Sequence, residues 1–111
     1  MRFLMLVISD PDLNSTEAPP LSIEEWVDET AESGVNVGGD RLEPIEKART
    51  VRRRNGSVHV TDGPYAETRE VIAGFDLLEC RDIDQAVEIA SRHPMATLGT
   101  IEVRALWPLE L

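Results

Sequence analysis

The sequence predicts an α+β domain with a ferredoxin-like split βαβ arrangement and an inserted β-hairpin. Without the hairpin, the predicted elements follow the order β-α-β-β-α-β that defines this arrangement. The hairpin is predicted because Asn55-Gly56, a strong two-residue turn signal, separates the strand-like residues 48–54 and 57–61. A chain of 111 residues is long enough to bury one core without disulfides or metals, so residues 1–111 are predicted to form a single domain.

The first third of the chain predicts a central strand and then a helix. Residues 2–8 form a continuous apolar run, which is typical of a strand covered on both faces. Ser22 can cap the following helix, and Glu25 completes a capping box three residues later. Gly34 is placed to end this helix in the left-handed conformation. The buried stripe predicted by helical spacing consists of Ile23, Trp26, Val27 and Ala31.

The middle of the chain predicts irregular extended structure. Residues 35–41 favour a strand, in which Gly38 and Gly39 mark a bulge. Residues 62–64 (Asp-Gly-Pro) are typical of a turn. Residues 65–73 are polar enough to favour a short helix or an ordered loop.

The last third predicts strand, helix and strand. Residues 75–80 and 100–106 favour strands, and residues 106–111 a terminal tail. Asp82 can cap the intervening helix, with Gln85 in the capping-box position, and Pro94 ends it near residue 92 or 93. Its predicted buried stripe consists of Ile83, Ala86, Val87 and Ala90.

Both faces of the predicted sheet carry apolar side chains. Leu4, Leu6 and Ile8 alternate with Phe3, Met5 and Val7, and Phe75 and Leu77 alternate with Leu78 and Cys80. Two helices cover only one face of such a sheet. The uncovered apolar face therefore predicts a homodimer in which two sheets meet face to face.

The charge of the chain is unevenly distributed. The 11 Lys and Arg residues and 21 Asp and Glu residues give a net charge of −10, which argues against generic binding to nucleic acid or an anionic membrane. Residues 41–54 carry +4, whereas the remainder carries −14. The two regions are either solvated faces that attract each other or a neighbouring subunit, or they include a dedicated anion or nucleic-acid site.

No motif predicts a metal site or a cofactor. A single cysteine, Cys80, excludes a disulfide within the chain, and His59 and His93 lack ligand spacing. The apolar run from Phe3 to Ile8 is too short for a signal-peptide core or a membrane span. We therefore expect a cytoplasmic protein without metal or cofactor.

Residues 60–70, together with Ala73-Gly74-Phe75, carry a family resemblance. They read Val-Thr-Asp-Gly-Pro-Tyr-Ala-Glu-Thr-Arg-Glu, and this segment resembles the DGPF type of YCII-related proteins, whose signature is Asp-Gly-Pro-Phe-Ala-Glu-Thr-Lys-Glu and then Gly-Gly-Phe. Residues 37–42 and 99–104 resemble the family's second and last strands. The departures from the signature are Tyr65, Arg69 and Ala73.

The resemblance implies a bacterial protein that pairs into a dimeric α+β barrel, a superfamily that includes muconolactone isomerase-like enzymes and small monooxygenases. Those enzymes use the cleft between helices and sheet. Genes of the DGPF branch often lie beside genes for extracytoplasmic-function sigma factors. Smaller YCII proteins carry a proposed His–Asp pair with an early histidine, whereas this chain has no histidine before His59. Asp62 is the natural match for the aspartate.

Asp62 is the candidate general base of the sequence. In one interpretation its carboxylate bonds backbone amides two residues on and only shapes the turn. In the other it faces a cleft, and burial raises its pKa toward the range that suits a base. An arginine near it, such as Arg69, would oppose that shift. Ligand contacts are predicted at Gly63, Pro64, Tyr65 and Glu70.

The other candidates have a structural and a functional interpretation each. The Tyr65 ring either packs or presents its hydroxyl to a ligand. Glu67, Arg69 and Glu70 form a solvated surface or an ion-paired rim. His59 is either an exposed hairpin residue or a second catalytic group. His93 precedes Pro94 at a helix end, where a cation is favoured by the helix dipole, and its expected role is capping.

The sequence therefore predicts a YCII-like protein that binds a small organic molecule in a helix–sheet cleft near residues 62–65. Any catalysis would be proton transfer on a small organic acid or lactone, and whether the protein is an enzyme stays open. The alternative is a non-catalytic module that acts by protein contact in sigma-factor-linked regulation. Its surfaces would be the Arg52-Arg53-Arg54 hairpin and the acidic first helix.

Overall fold

The computed structural model describes residues 1–65 and 70–110, which form six strands, three α-helices and a short 3-10 helix. The strands are β1 (Arg2–Ser9), β2 (Asn36–Arg41), β3 (Arg49–Arg54), β4 (Ser57–Asp62), β5 (Val71–Glu79) and β6 (Thr100–Ala105). The helices are α1 (Ile23–Glu32), α2 (Ile83–Ser91) and α3 (Pro94–Leu98), and the 3-10 helix is Ile45–Lys47.

Four of the strands form one antiparallel sheet in the order β2-β5-β1-β6. The strands β3 and β4 pair with each other in a separate two-stranded sheet. The ferredoxin-like α+β fold with an inserted hairpin is therefore confirmed. The central position of β1 agrees with the apolar run from which it was predicted.

The core lies between one face of the four-stranded sheet and the helices. On β1, the side chains of Phe3, Met5 and Val7 are buried on this face. The alternate side chains, such as Leu4 and Leu6, are only half-buried. The second apolar sheet face predicted from the sequence is therefore present, and we call it the open face.

Helix α1 begins and ends as its sequence predicts. The Ser22 hydroxyl accepts a hydrogen bond from the Glu25 N–H at 3.1 Å, and the Glu25 carboxylate accepts one from the Ser22 N–H at 3.0 Å. At the other end, Gly34 has a φ of +75°. The N–H groups of Gly34 and Val35 donate to the carbonyls of Ala31 and Thr30, which closes a Schellman motif.

The predicted buried stripes were partly wrong. Trp26, Ala86 and Ala90 are buried, as expected. The exposed members of the two predicted stripes are Ile23, Val27, Ala31, Ile83 and Val87. On α1, Thr30 is buried instead of Ala31. The polar hydroxyl of Thr30 is tolerated there because it donates a hydrogen bond to the Trp26 carbonyl at 2.9 Å.

Helix α3 and the start of β5 were not predicted. Pro94 ends α2, as expected, but it also occupies the first turn of α3, where its missing N–H is tolerated. The strand β5 begins at Val71, inside the segment for which a helix or loop was expected, because Val71 and Ile72 pair with Ser9 and Ile8 of β1. Residues 66–69 of that segment lie outside the described residues.

The hairpin β3–β4 has two chemically different faces. Asn55 and Gly56 have φ values of +50° and +80°, as a two-residue turn with two positive φ angles requires. One face carries the valines of both strands, and the opposite face carries Arg52 and His59. His59 therefore points away from the neighbouring valines.

Gly39 lies where β2 and β5 approach each other closely. The pairing of β2 with β5 shifts between Asn36 and Gly38, so the predicted bulge is confirmed. A Cβ atom on Gly39 would lie 2.3 Å from the Phe75 carbonyl oxygen and 2.8 Å from the Asp76 carboxylate. Only glycine allows this approach.

We expect Gly39→Ala to lower the free energy of unfolding by roughly 2–3 kcal/mol, because both the contact and a φ of +145° become unfavourable. Urea denaturation measures the loss. The control is Gly38→Ala, where an added Cβ meets nothing within 4 Å. Equal losses in the two variants would contradict the steric explanation.

Candidate functional site

A cleft opens between helices α1 and α3 and the β2–β5 side of the sheet. Its volume is about 620 Å³, which is ample for a small organic molecule. The helices contribute Ile23, Trp26, Val27, Pro94, Met95 and Leu98, together with His93 before α3. The sheet contributes Val7, Gly39, Arg41, Ala73, Gly74 and Asp76; Asp40 and Phe75 also border the cleft, although their side chains are on the opposite face of the sheet.

The walls of the cleft explain why part of the α1 stripe is exposed. Ile23 and Val27 were expected in the core, but they line the cleft instead. Leu98 of α3 is a third exposed apolar side chain there. An apolar surface that stays accessible beside the core is typical of a ligand site.

Asp76 supplies a carboxyl group to this apolar cleft. It lies on β5, directly opposite Met5 of β1, so it points to the helix-covered face. Its Oδ1 accepts a hydrogen bond from Asn36 Nδ2 at 3.0 Å. Burial raises the pKa of Asp76, the hydrogen bond from Asn36 opposes that shift, and the nearby negative charge of Asp40 adds to it.

His93 is the second titratable group that lines the cleft. Its Nδ1 accepts a hydrogen bond from the Met95 N–H at 3.0 Å and thereby caps α3. The proton of the neutral ring is therefore on Nε2. Burial lowers the pKa of His93, so the ring is neutral at pH 7. The expected capping role is confirmed, although His93 caps the beginning of α3 and not the end of α2, and the expected cation was wrong because the ring is neutral.

The structure places Asp62 on the hairpin and not in this cleft. Its side chain is 86% exposed, and its Oδ1 lies 3.1 Å from Nε of Arg49. The carboxylate thus forms an ion pair across the β3–β4 sheet. The role of Asp62 as a general base stays a prediction.

The other residues predicted near Asp62 lie around the base of the hairpin. Pro64 and Glu70 line a second cavity of about 470 Å³ beside the 3-10 helix. Gly63 has a φ of +94°, and its N–H donates to the Ala48 carbonyl at 2.8 Å. The Tyr65 ring is 77% exposed, and the Arg52 guanidinium lies 4.9 Å from its centre. Their ligand-binding role stays a prediction.

The remaining candidates do not enter the helix–sheet cleft within the described structure. His59 is exposed on the face of the hairpin that also carries Arg52. The predictions for Glu67 and Arg69 lie outside the described residues. Within residues 1–65 and 70–110, no three His, Cys, Asp or Glu side chains form a group that could hold a metal ion. In the same ranges no helix is long and apolar enough to cross a membrane.

Asp76 and His93 are the site residues that sequence reasoning missed. Asp76 had a usable signal, because it is an acidic residue in the apolar segment 75–80 and shares strand parity with buried Leu78. His93 had no such sequence signal. Its place in the cleft depends on α3, which has only five residues and was not predicted from the sequence.

The fold and the cleft together define a small α+β protein with a ligand-sized cavity between its helices and its sheet. A comparison with protein families matches residues 1–110 to the YCII-related domain, so the chain belongs to the YCII-related family. It is also 41% identical over 68 residues to an uncharacterized protein of Rhizobium meliloti (strain 1021), an alignment that covers 60% of this chain. The chain spans about half the length of that relative, 55%.

We expect Asp76→Asn to make the protein more stable than wild type at pH 7. The raised pKa means that the folded state favours the protonated carboxyl, so wild-type stability falls as the pH rises from about 3.9 through the folded pKa. The advantage of the variant should therefore shrink as the pH falls toward 4. Urea denaturation between pH 4 and 7 measures it. The exposed Asp28→Asn change is the control, and identical pH profiles in the two variants would contradict the assignment.

We expect His93→Asn to remove an acid-dependent loss of stability. Because the pKa is lowered in the folded state, wild-type stability is lost as the pH falls below about 6.5. Asparagine keeps an N-cap acceptor but does not titrate. Denaturation at pH 7.5 and 5.5 should show a smaller loss in the variant than in wild type or in the exposed His59→Asn control. A loss of equal size in all three proteins would refute it.

Proposed function

We propose that this YCII-related protein acts in the bacterial cytoplasm and binds a small organic acid or lactone in the helix–sheet cleft, where Asp76 performs acid–base chemistry. The observation that carries the proposal is a partly buried carboxyl group set among apolar side chains in a cavity of about 620 Å³. Such a combination of apolar cavity and perturbed titratable group is typical of functional sites.

The lining of the cleft supports an oriented ligand. An apolar body can lie against Trp26 and Met95. The Nε2–H of His93 can donate to a carbonyl or hydroxyl oxygen, because Nδ1 is already used in the α3 cap. Arg41 lines the cleft from β2 and favours a carboxylate on the ligand.

The chemistry follows from the protonation of Asp76. A carboxyl group whose pKa lies above its usual range is a stronger base when ionised and is more often available as an acid near neutral pH. Proton abstraction beside a carbonyl group, with the oxygen held by His93, is the reaction class that these two groups support. Arg41 would stabilise the carboxylate of the ligand without taking part in proton transfer.

The turn of residues 62–65 is the competing location for the ligand. Asp62 would then be the base, with Gly63, Pro64, Tyr65 and Glu70 around the ligand. Pro64 and Glu70 line a cavity there. The exposure of Asp62 and its ion pair with Arg49 favour the Asp76 cleft over this location.

A thermal-shift screen of small organic acids and lactones tests both locations. We expect a ligand that raises the melting temperature of wild type to lose most of that effect in Asp76→Asn and to keep it in Asp62→Asn. The reason is that only Asp76 would contact the ligand. Ligand stabilisation acts through binding to the folded state, so the shift should grow with ligand concentration.

Two results would contradict the proposal that the ligand binds in the helix–sheet cleft. A shift that survives in Asp76→Asn but is lost in Asp62→Asn would place the ligand at the turn. A shift that survives in both variants would exclude both carboxylates from binding.

The same proposal includes a homodimer formed through the open face. The half-buried Leu4, Leu6, Phe75 and Leu77 form a continuous apolar surface on β1 and β5. Because β1 and β5 are the two central strands, this surface runs along the middle of the sheet. Apolar surfaces of this kind are usually covered by a partner, and a twofold dimer would cover two of them at once.

A second candidate function is protein contact in sigma-factor-linked regulation. It is supported by the exposed basic face of the hairpin, with Arg52 and Arg54, and by the acidic helix α1. Co-purification of an extracytoplasmic-function sigma factor with wild type, but not with a charge-reversed hairpin, would favour it. Absence of such a complex while ligand binding persists would count against it.

A further inference from the structure

We propose that the hairpin β3–β4 is an arm that docks on a second copy of this chain. The valine-bearing face of the arm would lie against the open face of the partner subunit, and its arginine would meet carboxylates there. This inference rests on the proposed homodimer and specifies what covers the open face, namely the arm of the other subunit.

The arm carries an apolar face that its own chain leaves exposed. Val51 pairs with Val60 across the hairpin, and Val58 lies on the same face. The three valines are 64%, 58% and 50% exposed, respectively. An isolated two-stranded hairpin is marginally stable in water, so an arm of this kind gains from packing on another surface. Arg53 pairs with Val58 and shares this face.

The molecule is more extended than expected for its length, and the arm forms a two-stranded sheet of its own. The radius of gyration is 16.3 Å, whereas a domain of this length without extensions has about 13 Å. The principal extents are 48 × 42 × 19 Å. The base of the arm is held by the Gly63–Ala48 hydrogen bond of 2.8 Å and by the Thr50 hydroxyl, which donates to the Gly63 carbonyl at 2.9 Å. A fixed base and an extended shape suit an arm that contacts another molecule.

The open face offers a surface of matching chemistry. One row across the four strands reads Asp40, Phe75, Leu6 and Glu102, because these residues are direct partners in the sheet. Two apolar side chains are therefore flanked by a carboxylate on each edge strand. The arm presents the complement, since its valines are accompanied by Arg53 on the same face, while Arg49 and Asp62 of that face form an ion pair with each other.

Charge also favours a second copy as the occupant. Residues 41–54 carry +4 and the rest of the chain −14; of the three consecutive arginines, Arg53 is on the docking face and Arg52 and Arg54 are on the opposite face. Opposite charges on complementary surfaces accelerate and orient association. Because one chain carries both surfaces, a twofold arrangement would satisfy two arms and two open faces simultaneously.

Sedimentation velocity of matched variants tests the arm. Val58→Asp and Val60→Asp place a carboxylate on its apolar face, whereas His59→Asp and Thr61→Asp place the same group on the opposite face of the same strand. We expect each valine change to raise the dimer dissociation constant about tenfold or more, because burying a valine contributes at least that factor. The two control changes should alter it less than about threefold, as surface charges do. Circular dichroism checks that all four variants fold.

The outcomes separate the arm from the dimer. A wild type that stays monomeric at every concentration overturns both the homodimer and the arm. A dimer that resists all four changes but dissociates in Leu6→Asp overturns the arm and leaves the open-face dimer intact. Equal weakening by the valine changes and the controls also overturns the arm, because the effect would then reflect charge alone.

A charge exchange tests where the arm lies. Arg53→Glu should weaken the dimer. The two double variants add either Asp40→Arg or Glu102→Arg to this change. At least one of them should regain half or more of the dimer affinity that Arg53→Glu removes. Restoration in neither combination overturns docking of the arm on the open face.

Discussion

The structure depends on the indole of Trp26, which is 1% exposed and joins all three helices. Its Nε1–H donates to the Ile89 carbonyl of α2 at 3.0 Å, and its ring meets the His93 ring edge-on with centres 4.7 Å apart. Because His93 caps α3, the Trp26 side chain of α1 contacts both α2 and the residue that begins α3. It thereby helps to position the helices around the cleft. The ion pair between Arg92 and Glu29, at 2.8 Å, joins α1 and α2 at the surface. Losing the indole would therefore disturb the core and the cleft wall together.

The cleft floor depends on the meeting of β2 and β5. The bulge in β2 lets Gly39 approach the backbone of β5, while Asn36, before the bulge, donates to the Asp76 carboxylate. The amide that donates to Asp76 is thus positioned two or three residues before the glycines of the bulge. Asn36 and Gly39 therefore contribute both to the position of the Asp76 carboxyl group and to the stability of the sheet.

Local signals made most of the fold predictable from sequence. The capping box at Ser22, the Asn55-Gly56 turn and the apolar run of β1 each act over a few residues, so their structures are confirmed. The site was harder, because α3 and the exposure of Ile23 and Val27 arise from tertiary packing that helical periodicity does not describe. Asp62 was singled out by a family-like turn, and the structure places that turn on the hairpin. The DGPF-type segment and the cleft carboxyl are therefore different features of one chain.

The bulge also affects how the protein can aggregate. Strand β2 lies at one edge of the sheet, where unpaired N–H and C=O groups could recruit a strand from another molecule and begin a fibril. Two consecutive glycines, a register shift at Val37 and the charged pair Asp40-Arg41 make this edge short and irregular. Growth by strand addition is discouraged on this side. The fold therefore protects itself from open-ended polymerisation at this edge while its sheet face stays available for a closed contact.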